Sequence, residues 1–165
     1  MRLTDYTDYT LRVLMFCAAN PDRLVTIAEL AEHHHLSKNH LMKIVNDLAR
    51  QGVIATTRGR GGGMRLLKDP TQIVVGEIVR RTETDFRIVE CFDEGTNACL
   101  LSATCRLKRV FDAAMQAYFK VLDGVTLAEI AEPISALPPV SRLVPVRGAK
   151  SAPALRRADA AKAQA

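Results

Sequence analysis

Apolar residues recur at helical spacing at Leu11, Leu14, Met15 and Ala18, so residues 4–20 are expected to form a first helix. Thr4 is placed to cap it. Asp5 and Asp8 fall in its first turns, where carboxylates meet the positive end of the helix dipole. Cys17 lies beside this stripe and is expected to be a buried, inert thiol. The turn formers NPDRL close the helix. A second helix opens at the capping box Thr26-Ile-Ala-Glu29, with Ile27, Leu30 and Ala31 on one face. The run His33-His34-His35 ends it. Consecutive helical residues point in different directions, so these histidines suit a helix C-terminus, with His34 partly buried, better than a metal site.

Ser37 is expected to cap a third helix with Leu41, Ile44, Val45, Leu48 and Ala49 inside and Gly52 at its end. Its outer face carries Lys38, Asn39, His40, Lys43, Asn46 and Arg50. Two short helices joined by a tight turn, the second polar and basic outward, describe a helix-turn-helix. Residues 53–66 follow as two β-prone arms around a glycine-rich tip, a wing. Its glycines lack the spacing of a nucleotide-phosphate loop. A wing that brings backbone close to DNA, with Arg58 and Arg60 entering a minor groove, also accounts for the arginines, the alternative being ordinary loop cations.

Ile73, Val74, Val75, Ile78 and Val79 suggest a fourth helix ending near Thr82. A long helix follows from Leu107 through Val110, Phe111, Ala114, Tyr118 and Val121. Its continuous apolar stripe pairs with its copy in a second subunit or packs on its own core. Thr126-Leu-Ala-Glu129 is a further capping box that starts a last short helix. Beyond Glu132 the composition turns to Pro, Ala, Ser and Arg, as in a disordered tail. The expected fold is thus mainly α with a small β wing. Residues 1–82 form a winged helix-turn-helix domain, 83–132 a cysteine loop with a dimerisation helix, and 133–165 a disordered basic tail.

Charge sharpens this picture. The net charge is +5, but the tail holds six Lys/Arg against Asp159 alone, so the body is neutral overall. Within that body, seven basic residues from Lys38 to Lys68 face one acid, Asp47. The local patch is what a nucleic-acid surface requires. An aromatic content of 5% with no Trp favours an aliphatic, helical core. The chain shows no leader-like apolar segment and no apolar run of membrane-spanning length, so a cytoplasmic location without membrane attachment is expected.

Three of the four cysteines fall within fifteen residues, CFDEGTNACLLSATC, in a stretch too rich in loop formers to be core. In the cytosol such clustering points to metal or redox chemistry. Soft thiolates select zinc, Cu(I) or iron–sulfur clusters. Ser102 is a candidate N-cap, which puts Cys105 in the first turn of the long helix, where the dipole favours a thiolate. Three thiolates leave a fourth ligand position open, whereas structural zinc normally takes four protein ligands. No Ser/His/Asp arrangement or paired-carboxylate setting points to an enzyme. Electron carriers usually hold clusters with four cysteines and need no wing.

The opening RLTDYTDYTLRVL, the segment LSKNHLMKIVNDL, the wing RGRGGGMRL and the cysteine region ending CRLK, in that order, resemble the Rrf2 family of bacterial winged-helix regulators. The likeness covers about the first 130 residues. It implies a homodimer that places recognition helices in successive major grooves of operator DNA; on the third helix Ser37, Lys38, Asn39, His40 and Lys43 are the candidates for groove and phosphate contacts, and Arg58 and Arg60 for the wing. In the family's nitric-oxide-sensing repressors three cysteines bind a 4Fe-4S cluster, and an aspartate in the partner's first helix can complete it. The matching positions are Cys91, Cys99, Cys105 and Asp8. Nitric oxide as the signal follows from the same resemblance; redox state, oxygen or iron–sulfur supply is the alternative. Two departures stand out. The first cysteine gap, seven residues, is longer than usual. Lys108 replaces the histidine that ligates two-iron clusters in another branch, which sets a 2Fe-2S cluster second.

Overall fold

The structure, a computed structural model, describes residues 2–93, 95–101 and 104–131. The tail expected from residue 133 onward lies outside the described residues.

Helix α1 spans Asp5–Ala18, and the Thr4 hydroxyl accepts a hydrogen bond from the Thr7 N–H at 3.3 Å. Its inner face is Thr7, Thr10, Val13, Leu14 and Cys17 rather than the expected stripe. Of that stripe only Leu14 is fully buried; Leu11, Met15 and Ala18 pack partly against the core. Apolar spacing overlooked the threonines because their hydroxyls are satisfied inside. Thr10 Oγ1 donates to the Tyr6 carbonyl at 2.7 Å, and Thr7 Oγ1 to Thr82 Oγ1 at 2.9 Å.

Helix α2 (Ile27–His34) starts at the expected capping box and stops where His35 takes the left-handed conformation, φ 55°. Helix α3 (Lys38–Arg50) buries Leu41, Ile44, Val45 and Leu48. Ser37 occupies its N-cap position, but the hydroxyl makes no capping bond, contrary to the sequence reading. At the other end Gly52 sits at φ +67°, with its N–H on the Ala49 carbonyl and the Val53 N–H on that of Leu48. That paired closure turns the chain into the wing and requires a left-handed residue, which favours glycine.

Strands β1 (Ile54–Thr57) and β2 (Gly63–Leu66) pair antiparallel, Ile54 opposite Leu66 and Thr57 opposite Gly63. Val25 adds a third strand position by bridging Met64, with N–H···O distances of 2.9 and 2.7 Å. This approach explains Gly63: a Cβ there would stand 2.6 Å from the Val25 carbonyl oxygen.

The expected fourth helix begins later than the apolar run. Pro70–Gln72 form a single 3-10 turn, Ile73 and Val74 are extended, and α4 covers Val75–Thr82. Val74 bridges Thr126, and the Leu127 N–H bonds the Ile73 carbonyl at 2.7 Å. A distant segment thus pairs with this backbone before the helix can take it. Helix α5 runs Arg106–Asp123, and α6 spans Leu127–Ala131. Thr126 and Glu129 make the expected capping contacts, Thr126 N–H to Glu129 Oε2 at 2.7 Å. Leu127, 1% exposed, joins Leu14, Leu30, Leu41, Ile44, Leu48, Ile54 and Met64 in one core beneath α1.

The C-terminal half of α5 is fastened to α4. Arg80 makes two bonds to the Asp123 carboxylate at 2.6 and 2.7 Å and lies 4.2 Å from the Phe119 ring centre. Its N-terminal half is uncovered, with Leu107 58% and Val110 60% exposed. Among the described residues no helix is long and apolar enough to cross a membrane.

Candidate nucleic-acid interface and cysteine loop

The fixed inner stripe of α3 turns Lys38, Asn39, His40, Lys43, Asn46 and Arg50 outward, all exposed, and Ser37 is exposed at the helix start. The acid of this stretch is withdrawn from the surface. Asp47 accepts the Tyr6 hydroxyl at 2.7 Å and pairs with Arg50. These bonds, Tyr6 first and Arg50 second, hold its carboxyl below the usual range. Burial, then the bond to Asp47, pushes the Tyr6 phenol up to about 12. What remains on the outer face is cationic and amide in character, matching phosphate and base edges. The rings of Tyr9 and His40 lie 6.4 Å apart, and Lys43 Nζ is 5.9 Å from the Tyr6 ring centre. Helix α1 therefore touches α3 along its outer edge.

Arg58 and Arg60 stand exposed at the wing tip, between β1 and β2. Wing and α3 leave the same core through the Gly52 turn, so both expected DNA elements are set by one folded unit. Sequence reasoning missed the roles of Tyr6 and Asp47. The repeated TDY and the single acid in a basic run were the available signals. It also left Met42 unremarked, a large apolar residue 43% exposed on α3.

The histidine run behaves as a helix end. His34 packs near the Phe16 ring, 5.8 Å between centres, and its Nε2 is buried with no partner among the described residues. Burial, then the neighbouring His33, lowers its pKa.

None of the four cysteines forms a disulfide. Cys17 is core, and burial pushes its thiol up to about 11, as expected of an inert cysteine. Cys91 is buried in a short 3-10 turn, Glu90–Phe92. Cys105, half-buried, is itself the N-cap of α5 rather than a first-turn residue, because the helix starts at Arg106; Ser102, the expected cap, lies outside the described residues. Cys99 is exposed in the irregular span between them. Local acids shape that span. Asp93 accepts from the Gly95 N–H at 3.0 Å and the Thr96 hydroxyl at 2.8 Å, and Glu90 from the Ala98 N–H at 2.8 Å.

As a donor set, three thiolates, one at the positive end of an 18-residue helix, fit an iron–sulfur cluster. The structure does not gather them: among the described residues no three His, Cys, Asp or Glu side chains stand close enough to hold a metal ion. Asp8, half-exposed on α1, pairs with Arg12 at 2.7 Å.

Residues 3–133 match the family model Rrf2, described as an iron-dependent transcriptional regulator. The chain belongs to the Rrf2 family. It is 52% identical over 133 residues to the HTH-type transcriptional regulator NsrR of Bacillus subtilis (strain 168), covering 80% of this chain and 91% of the relative. The NsrR of Bacillus licheniformis is 50% identical over 131 residues, covering 79% and 92%. Among solved structures, oxidised CymR of Staphylococcus aureus superposes with a TM-score of 0.65 at 24% identity, over 81% of this chain and 98% of that one; this likeness shows the fold. As an Rrf2 protein with relatives of this kind, the chain is a transcriptional regulator with a winged-helix fold, not an enzyme.

Proposed function

We propose that this chain is a bacterial repressor that binds operator DNA as a homodimer in the cytoplasm and senses nitric oxide through a 4Fe-4S cluster. The reading is carried by one placement: Cys105 caps α5, and the next apolar residues of that helix, Leu107 and Val110, are uncovered. The cysteine loop therefore adjoins the surface that a second subunit would cover, so cluster binding and dimer geometry share one element. The NsrR relatives and the iron-dependent description of the family support it.

In this reading the thiolates of Cys91, Cys99 and Cys105 hold the cluster, and Asp8 of the partner subunit supplies a fourth, oxygen ligand. When bound, the cluster supplies iron that nitric oxide can attack most readily where a carboxylate rather than a thiolate holds it. The protein's part is mechanical. Releasing the carboxylate returns Asp8 to Arg12, four residues on in its own helix. Tyr6 and Tyr9 flank Asp8 and contact Asp47 and His40, so a shift of α1 is passed to α3. On α3, Lys38, Asn39, His40 and Lys43, with Ser37 at its start, enter the major groove, and Arg58 and Arg60 anchor the wing. A hundredfold loss of operator affinity needs a differential stabilisation of only about 2.7 kcal/mol.

The test is anaerobic purification of the full chain, with iron, sulfide and subunits counted by native mass spectrometry. Four irons per chain in a dimer, bleached by nitric oxide with release of DNA, is the expected result. A zinc-bound protein, or a metal-free form that holds operator DNA as tightly, overturns the sensing mechanism. Cluster loss and DNA release with oxygen but not nitric oxide moves the signal to redox state.

A further inference from the structure

The outward side of α3 is polar except at Met42, which is 43% exposed. Met42 is the one large hydrophobic side chain exposed on an otherwise cationic and amide helix face, so an apolar group brought against that face would meet it there. Met42 stands one helical turn beyond Lys38 and Asn39 and one turn before Asn46, all exposed on the same helix. The core does not take it: Leu41, Ile44, Val45 and Leu48 fill the inner stripe. The neighbouring acid, Asp47, is occupied by Tyr6 and Arg50, so no exposed carboxylate on α3 repels a phosphate backbone from this flank.

In the major groove the apolar feature of a base edge is the thymine 5-methyl group. The exposed amides near Met42, on Asn39 and Asn46, are side chains of the type that pairs with adenine N6 and N7. The one arginine of α3, Arg50, lies in its last turn and is paired with Asp47. A bidentate arginine–guanine contact at the front of the helix is therefore missing from α3, and lysines are the cations left there.

We infer that Met42 is a specificity-determining residue that reads a thymine methyl in each operator half-site, making α3 a reader of A·T-containing steps. This rests on α3 being the helix that enters the groove. Met42 adds discrimination, while Lys38 and Lys43 add sequence-independent attraction.

The experiment uses the full-length, cluster-loaded chain. Its preferred site is selected from a randomised duplex pool, and each thymine of that site is then replaced singly by deoxyuridine, which removes only the methyl group. At one position per half-site the wild type is expected to lose about fourfold in affinity, the effect of one buried methyl, and about sixteenfold when both half-sites are changed. Met42→Ala binds both duplexes equally, and Met42→Leu keeps the discrimination. Selected half-sites without a T·A pair, no methyl-sensitive thymine, or full discrimination by Met42→Ala overturns the inference. Lys43→Ala separates the two layers. If it leaves affinity and salt dependence unchanged, α3 is not the groove helix and the underlying reading fails with it. If it weakens all sequences alike while Met42→Ala keeps the full methyl discrimination of the wild type, only the inference on Met42 fails.

Discussion

The hydroxyl of Tyr6 donates to Oδ2 of Asp47 at 2.7 Å, joining the first turn of α1 to the third turn of α3. This bond removes the single acid from a basic surface and fastens the helix that carries Asp8 to the helix proposed to enter the DNA groove. Both pKa shifts bear on it. Asp47 is held below its usual range, so its contribution is present above about pH 4 and is lost as pH falls through the lowered value. Tyr6 is pushed up to about 12, so the contribution is complete below its ordinary value near 10 and lost as pH rises through 12. Tyr6→Phe is expected to cost about 1 kcal/mol between those limits. It should also remove a phenolate absorbance step near pH 12, read by ultraviolet titration. Loss of a step at the ordinary tyrosine value near 10 instead would show that the Tyr6 phenol is not pushed up by burial and the bond to Asp47.

Cys17 and the loop cysteines should separate chemically. Cys17 is 3% exposed with its thiol pushed up to about 11, whereas Cys99 is exposed. In the metal-free, native chain, iodoacetamide should label Cys99 first and leave Cys17 unmodified, as peptide mass spectrometry would reveal. Cys17→Ala is expected to keep full iron content, while Cys91→Ala, Cys99→Ala and Cys105→Ala lose it. Iron loss from Cys17→Ala would require a different ligand set.

Gly63→Ala tests the wing. The added Cβ would meet the Val25 carbonyl oxygen at 2.6 Å, so the bridge to Met64 must open. A destabilisation of about 1–3 kcal/mol is expected in urea unfolding. DNA binding should weaken as well, because Arg58 and Arg60 lose their support. Ala at 63 with wild-type stability would mean that the third strand position is not closed in solution.

The uncovered half of α5 predicts the oligomeric state. Val110→Glu puts a charge on a surface the dimer would bury, and sedimentation equilibrium should show a monomer with reduced iron retention. Because Val110 is 60% exposed in the single chain, the variant should keep its helix content and fold. A dimer that persists in Val110→Glu places the subunit interface elsewhere.

The resemblance to the family depended on short motifs in order, and the family assignment agrees with it. What local sequence determined was the placement of helices and their ends. Capping boxes at Thr26 and Thr126, the inner stripe of α3 and the turn at Gly52 each depend on residues within one or two turns, so their pattern is visible in the linear chain.

Tertiary structure decided the rest, because the deciding partners are far away in sequence. Thr7 is buried because Thr82 meets its hydroxyl, and Ile73 is extended because Leu127 takes its carbonyl. Asp47 leaves the basic surface because Tyr6 reaches it across 41 residues. The apolar stripe of α5 gave no hint of which half would be covered; Arg80 and Phe119 fasten one end and leave Leu107 and Val110 exposed at the other. The cysteines show the same division. Their types and spacing raise soft-metal chemistry as an expectation, while the tertiary structure leaves Cys91 buried in a 3-10 turn, Cys105 at the head of α5 and Cys99 exposed, not gathered at one centre, because each is placed by its own local segment.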